Sequence, residues 1–263
     1  MYISLEGQTA LVTGSTAGIG RAIAEQLSAA GAHVIVNGRD AAKVDAVVAE
    51  IAVATGGSLA GVAADVTDAA GTAALIAALP QVDILVNNAG RYQPVDFLTS
   101  SDRDWRDAYE VNVVSAVRLT RAYFGGMLER KRGRVIFLSS DNALISPEGV
   151  ADYSAAKAAL LSVSRTLAKL ARGTAITVNA VLPGATLSRN VSSFVESAAA
   201  EAGITPREAL DRFVREALPT SLIERGLMPQ EVANMVTYLC SSLGSGTTGS
   251  ALRVDGGSVD SII

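Results

Sequence analysis

Residues 9–38 read TALVTGSTAGIGRAIAEQLSAAGAHVIVNG. A short apolar run, Thr9 to Thr13, meets the glycine-rich turn Gly14-Ser-Thr-Ala-Gly18-Ile-Gly20. That turn opens a helical pattern with Ile19, Ile23 and Leu27 on one stripe. Gly31 predicts the helix end, because a left-handed residue there satisfies the last carbonyls, and AHVIVNG then starts a second strand. Glycines between a buried strand and a helix let the backbone turn tightly and come close to a pyrophosphate. The free amides and dipole of the helix N-terminus would then hold its charge. The spacing is GxxxGxG rather than GxGxxG, and a turn of this kind also serves close packing alone.

The rhythm continues to the C-terminus. LAGVAAD, VDILVNNAG, RVIFLSS, AITVNAVLPG and a last strand at Ala251–Val254 alternate with longer helical stretches. The alternation predicts an α/β fold: a doubly wound, Rossmann-type parallel sheet with helices on both faces, in a single domain over residues 1–263. The strand runs are apolar without clean period two, as expected where both faces are covered. A chain of 263 residues, 49% hydrophobic, can bury such a sheet. A net charge of −4 with no basic block argues against nucleic acid. No run reaches the ~18 apolar residues of a membrane span, and no targeting segment is seen before the first strand. The lone cysteine, Cys240, rules out an internal disulfide, fits a reducing cytoplasm and reads as a core thiol. With His33 the only histidine, no zinc-type metal site is expected.

Candidate functional residues fall at strand ends. The second strand ends Val36-Asn37-Gly38-Arg39-Asp40, with glycine where an acid would take ribose hydroxyls and with Arg39 beside it. That favours NADP(H), with NAD(H) possible, although Arg39 also reads as a solvated loop charge. Asp40 and Asp68 are expected to cap the helices that follow them. The third strand ends at Asp65-Val66, and the fourth runs into Asn87-Asn88-Ala89-Gly90, a turn that either lies along a cofactor or is merely a turn. Asp102 to Arg130 reads as one long helical region. Asn112 within it is either a satisfied core amide or part of a proton path. Ser140 ends RVIFLSS and is placed to hold a substrate oxygen. Tyr153 and Lys157 lie four apart in ADYSAAKAALLSVSRTLAKL, on one helix face. An ammonium beside a phenol is expected to lower the phenol's pKa and suit it to proton exchange, though the same spacing describes an ordinary surface pair.

In this order and at these intervals, TGSTAGIG, NNAG, Asn112, Ser140, Tyr153-Ser-Ala-Ala-Lys157, Pro183-Gly184 and Val254-Asp255-Gly256-Gly257 resemble the classical short-chain dehydrogenase/reductase family. The resemblance implies a sheet of about seven strands and a homotetramer. It implies Tyr153 as general acid/base, Lys157 on the nicotinamide ribose, Ser140 orienting the substrate oxygen and Asn112 in a proton relay. It places Gly14, Ser15, Gly18, Ile19 and Gly20 around the pyrophosphate, and Asp65 and Val66 near the adenine. Asn87, Ala89 and Gly90 fall along the adenosine side, and Pro183, Gly184 and Thr186 near the nicotinamide. Ala17 departs from the basic residue common in NADP-dependent members, so the NADP(H) expectation rests on Arg39; Ser188 retains a hydroxyl for the carboxamide. The segment at about 188–226 is expected to be a lid, its apolar residues leaning toward a hydrophobic small-molecule substrate. The implied activity is hydride transfer between NADP(H) and a carbonyl/alcohol pair. Alternatives are a 3-oxoacyl-[acyl-carrier-protein] reductase, kept open by Arg103, Arg106, Arg118 and Arg121, and a non-catalytic NADP(H)-binding sensor.

Overall fold

Strand β1 (Thr9–Val12) lies at the centre of the fold, with β2 (His33–Gly38) hydrogen-bonded to one side and β4 (Ile84–Asn87) to the other. From β2 the chain steps outward to β3 (Leu59–Ala63) and then returns across β1 to β4. It continues through β5 (Arg132–Leu138), β6 (Ala175–Pro183) and β7 (Ala251–Val254). The sheet is thus seven-stranded in the order β3-β2-β1-β4-β5-β6-β7, every pair parallel. The reversal falls between β1 and β4, and in such sheets the crevice at that switch point is where ligands bind. The computed structural model describes residues 2–187 and 189–262, without the side chains of 189–194.

Alternation along each strand divides the core in two. Ala10, Val12, Val34, Val36, Ile84, Val86, Ile136 and Leu138 face one layer, formed by α1 (Gly18–Ala29), α2 (Ala41–Thr55) and α10 (Pro229–Cys240). Leu11, Ile35, Leu85, Val135 and Phe137 face the other, formed by α3 (Ala69–Ala78), α5 (Ser115–Arg130) and α7 (Ala151–Leu170). Both faces are covered, which is why the strands carry no polar alternation. Leu27 of α1 is fully buried, and its truncation to alanine would cost about 2–5 kcal/mol. Cys240 is buried in the first layer, its thiol pushed up to about 12 by burial.

Side chains cap several helix starts. Asp40 accepts from the Lys43 amide and Asp68 from the Gly71 amide, as expected. Gly31 follows α1 at φ +95°, donating its N–H to the Ser28 carbonyl. The expected continuous helix from Asp102 to Arg130 is instead broken. α4 (Asp102–Tyr109) passes through a wide turn, Glu110–Val114, in which the Ser115 amide reaches back five residues to the Glu110 carbonyl. Apolar periodicity does not register that extra residue, and such turns recur at functional sites.

α6 (Asn142–Ile145) follows β5, while α8 (Arg189–Ala202) and α9 (Pro206–Ala217) lie between β6 and α10. Val195, Ala199, Ala209 and Leu210 of the α8–α9 pair form a core of their own. Among the described residues no helix is long and apolar enough to cross a membrane.

Candidate active site

Polar side chains lock the turn after β1. Thr13 Oγ1 accepts the amides of Asn88 and Ala89, and Asn88 Nδ2 donates to the carbonyls of Thr13 and Gly14. Asn37 at the end of β2 donates to Val62 and Ala64 and accepts the Gly14 amide. Ser15 is buried, its hydroxyl donating to Val12 O and accepting the Asn37 amide. Its side chain therefore holds the turn against β2.

Gly20 is required here, because a Cβ would collide with Asn88 Nδ2 and stand 2.6 Å from the Gly14 carbonyl. Thr13 and Asn37 were given no role from sequence, and Asn88 was read only as part of the turn after the fourth strand; the available signal was a polar residue at the end of an otherwise apolar strand.

α2 and α3 are each capped by an aspartate side chain, whereas α1 has no capping side chain and no acid in its first turn. Its first amides, around Gly18, Ile19 and Gly20, are donors without a side-chain acceptor, which suits a phosphate. Nearby, a Cβ on Gly38 would lie 2.6 Å from the Thr16 methyl, so a side chain at position 38 would have to displace Thr16. Arg39 is exposed beside it and has no ion-pair partner among the described residues. Asp65 Oδ1 accepts the amide and hydroxyl of Thr67, and Val66 is buried. Asn87 turns its amide into the helix layer, onto Thr120 Oγ1, and its Oδ1 is buried without a partner. Ala89 packs on the second core layer, and Gly90 leads out of the turn.

The remaining candidates meet at the carboxyl ends of β4, β5 and β6. Asn112 is buried in the wide turn, where it donates to Arg91 O and Ala108 O and accepts the Arg91 amide. Gly90 lies between Asn112 and Lys157: a Cβ there would be 2.8 Å from Asn112 Oδ1 and 3.2 Å from Lys157 Nζ. Lys157 Nζ donates to Leu138 O at 2.8 Å and lies 5.6 Å from the centre of the Tyr153 ring. The two adjacent serines divide their roles. Ser139 Oγ donates to Lys157 O, pinning α7 to β5, whereas Ser140 Oγ donates to Asp141 Oδ1 and lies beside the Tyr153 hydroxyl. Tyr92 stands edge-on to Tyr153, 5.1 Å between ring centres. Gly184 donates to Val254 O and lies against the Asp255 backbone, and Thr186 is buried with its hydroxyl on Gly184 O. Pro183 O accepts the Asp141 amide; Ser188 lies outside the described residues.

The electrostatics reverse one expectation. Tyr153 is not drawn down: burial, outweighing the Ser140 hydrogen bond, pushes its phenol up to about 12, with the Asp141 charge adding to the rise. Burial lowers Lys157 to about 8, and its ammonium is aimed at a carbonyl rather than at the phenol oxygen. Two charges at helical spacing help each other only where solvation is cheap, and here desolvation is the largest effect on both groups.

The family model for the short chain dehydrogenase matches residues 8–199. The chain belongs to the short-chain dehydrogenase/reductase family. It is 46% identical, over all of both chains, to the uncharacterized oxidoreductase YvaG of Bacillus subtilis (strain 168). It is 34% identical to the 3-oxoacyl-[acyl-carrier-protein] reductase FabG of Escherichia coli (strain K12), over 97% of this chain and 98% of that one. Its structure is similar to that of L-sorbose reductase from Gluconobacter frateurii, complexed with NADPH and L-sorbose, with a TM-score of 0.91, 31% identity and full coverage of both chains. The protein is thus an oxidoreductase of a family that binds NAD(P). The uncapped amides of α1 and the crowded glycines at 20 and 90 fit such a dinucleotide.

Proposed function

We propose that this protein transfers hydride between NADP(H) and the carbonyl or alcohol carbon of a small, hydroxyl-bearing substrate. The observation that carries the reading is the convergence of Tyr153, Ser140, Lys157 and Asn112 beside the glycine turn at the switch point of the sheet. In this reading the amides of Gly18, Ile19 and Gly20 hold the pyrophosphate, with Gly14 and Ser15 shaping their turn. Arg39, exposed at the end of β2, takes the 2′-phosphate. Asp65, Val66, Asn87, Ala89 and Gly90 line the adenosine side, and Pro183, Gly184 and Thr186 the nicotinamide. The bound nicotinamide supplies or accepts the hydride.

Tyr153, with its phenol pushed up to about 12, is protonated at neutral pH and gives its proton to the carbonyl oxygen. Lys157, buried behind the ring, stabilises the phenolate left behind, and Asn112 holds the Arg91 and Ala108 backbone around it. A cytoplasmic homotetramer belongs to the same reading; Tyr109 and Val114 leave apolar surface exposed on the helical arm.

A polar substrate is favoured for two reasons. Leu210 and Val195 are spent in the α8–α9 core, so the proposed lid does not offer these side chains to an apolar ligand. Buried Asp141, with Tyr92 and Tyr153 in its field, makes the substrate side of the site polar. A carrier-protein substrate finds less support than the arginine content suggests. Arg103 pairs with Asp107, Arg106 with Asp102 and Arg118 with Glu110, which cancels most of that charge.

The test is turnover of L-sorbose, dihydroxyacetone, cyclohexanone and acetoacetyl-pantetheine with NADPH and with NADH, Tyr153→Phe as control. NADPH-dependent reduction of the hydroxyketones is expected. Turnover of the thioester alone would select the acyl reductase, and turnover of none would overturn the proposal.

A further inference from the structure

Ser140 sits next to an unusual partner. Its Oγ donates to Asp141 Oδ1 at 3.0 Å and accepts the Asn142 amide at 3.2 Å. A hydroxyl has one proton and two lone pairs. With Asp141 ionised, that single proton is committed to the carboxylate, and what Ser140 presents toward Tyr153 is a lone pair. A carbonyl oxygen, and the partial negative charge it gains during hydride transfer, need a donor instead.

We propose that Asp141 is a positioning residue that controls the Ser140 proton: only the neutral Asp141 carboxyl, donating to Ser140 Oγ, releases the serine hydroxyl toward the substrate oxygen. This rests on the reading above, in which Ser140 holds that oxygen.

The surroundings support a carboxyl that changes state in a useful range. Asp141 is 5% exposed, and its amide is tied to Pro183 O, so the side chain is held at the junction of β5 and β6. The groups facing it are Asp255 at the end of β7, Tyr92 from the loop after β4, and Tyr153 from α7. Lys157, also on α7, turns its ammonium to Leu138 O. From α6 the Asn142 amide faces the Asp141 carboxyl, while the Leu144 and Ile145 amides donate to its backbone carbonyl. Asp255 already receives two backbone N–H groups, from Gly257 and Val259, each at 3.1 Å. Burial first, with the Asp255 charge adding, pushes Asp141 up to about 6, against the lowering effect of the Ser140 hydrogen bond.

The sign follows. Below about 6 Asp141 is protonated and Ser140 is free to donate; above it the serine proton is withheld. The kcat/KM for carbonyl reduction therefore falls as pH rises through that region, by about tenfold per pH unit. In Asp141→Asn the amide donates to Ser140 at every pH, so the fall disappears. The test has two arms on the intact protein.

The first is kcat/KM against pH for L-sorbose and dihydroxyacetone with wild type, D141N, S140A and the S140A/D141N pair. The limb is expected in wild type and absent from the other three, with S140A slowed about 10²-fold at low pH. The same limb in D141N would overturn the proposal. The second arm needs no substrate: the infrared carboxyl band that D141N removes is followed with pH in wild type and S140A. Loss of the Ser140 donor is expected to move that titration to higher pH. An unchanged titration would overturn the proposal by showing that the two side chains are uncoupled. Failure of every ketone to react, with the band still shifting, would instead count against the catalytic reading while sustaining the Ser140–Asp141 coupling.

Discussion

The two sides of the switch point are built differently. On the β1–β2 side the polar side chains are neutral: Thr13, Asn37 and Asn88 spend their hydrogen bonds on backbone groups of neighbouring turns. On the β5–β7 side the buried polar groups include ionisable ones: Asp141, Lys157 and Asp255. Neutral amides tied to backbone make a rigid cradle and hold no net charge out of water. Buried carboxyl and ammonium groups oppose folding unless paired, and Asp141 and Lys157 shift toward their neutral forms. One side is suited to binding, the other to moving protons.

The largest expected effect that would break this division is at Tyr153. Tyr153→Phe should lower kcat by about 10²–10⁴, the range for a lost general acid. Calorimetric affinity for NADPH should be nearly unchanged, because the binding half is untouched. Near-normal turnover would show that the proton comes from elsewhere.

Next in size is Gly20→Ala on the binding side. The added methyl meets Asn88 Nδ2 and the Gly14 carbonyl, both backbone-tied, so the turn itself must shift. We expect NADPH and NADH affinity to fall together by about 10–100-fold, the equivalent of one or two lost phosphate hydrogen bonds. A thermal melt checks that the fold persists. Unchanged affinity for both would show that the α1 amides do not carry the pyrophosphate.

Arg39→Ala sharpens the comparison within the binding side. Loss of a charge-assisted hydrogen bond is worth about 1.5–3 kcal/mol, so NADPH should bind roughly tenfold to a hundredfold more weakly. NADH should bind as before, and equal losses for both would remove Arg39 from the 2′-phosphate.

The same contrast explains what could be read from sequence. The seven strands, the helix caps at Asp40 and Asp68 and the glycine turn are local: each depends on residues within a few positions. The wide turn at Asn112 was invisible because it leaves the apolar pattern intact and is marked by contacts to Arg91, 21 positions away. The direction of the Tyr153 shift was misjudged for a related reason. Helical spacing gives the distance between Tyr153 and Lys157 but not the burial of both, nor the Leu138 carbonyl that claims the ammonium. The apolar residues of α8 and α9 leaned the reading toward a hydrophobic substrate, whereas Val195 and Leu210 pack within the helix pair, and three of the four arginines that kept a carrier-protein substrate open pair with acids of the same helical arm. Pairing and burial are decided by the tertiary structure, and they govern the chemistry more than they govern the fold.

The smallest effect expected concerns stability, and it tests whether the chemical half is built against folding. An acid whose pKa rises on folding binds more protons in the native state, so its burial is tolerated at low pH and opposes folding once both states are ionised. For Asp141 that penalty is absent below about 3.8, develops as pH rises, and is complete above about 6. Asp141→Asn keeps the shape and a hydrogen bond to Ser140 but carries no charge. It should therefore stabilise the protein by about 1–3 kcal/mol at pH 7.5, read as a midpoint shift in urea, with no gain at pH 4. Asn88→Ala on the neutral side should lose about 1–3 kcal/mol at both pH values, since its partners at Thr13 and Gly14 are left without a donor regardless of protonation. A gain for Asp141→Asn that did not depend on pH would mean that packing, not charge, distinguishes the two halves.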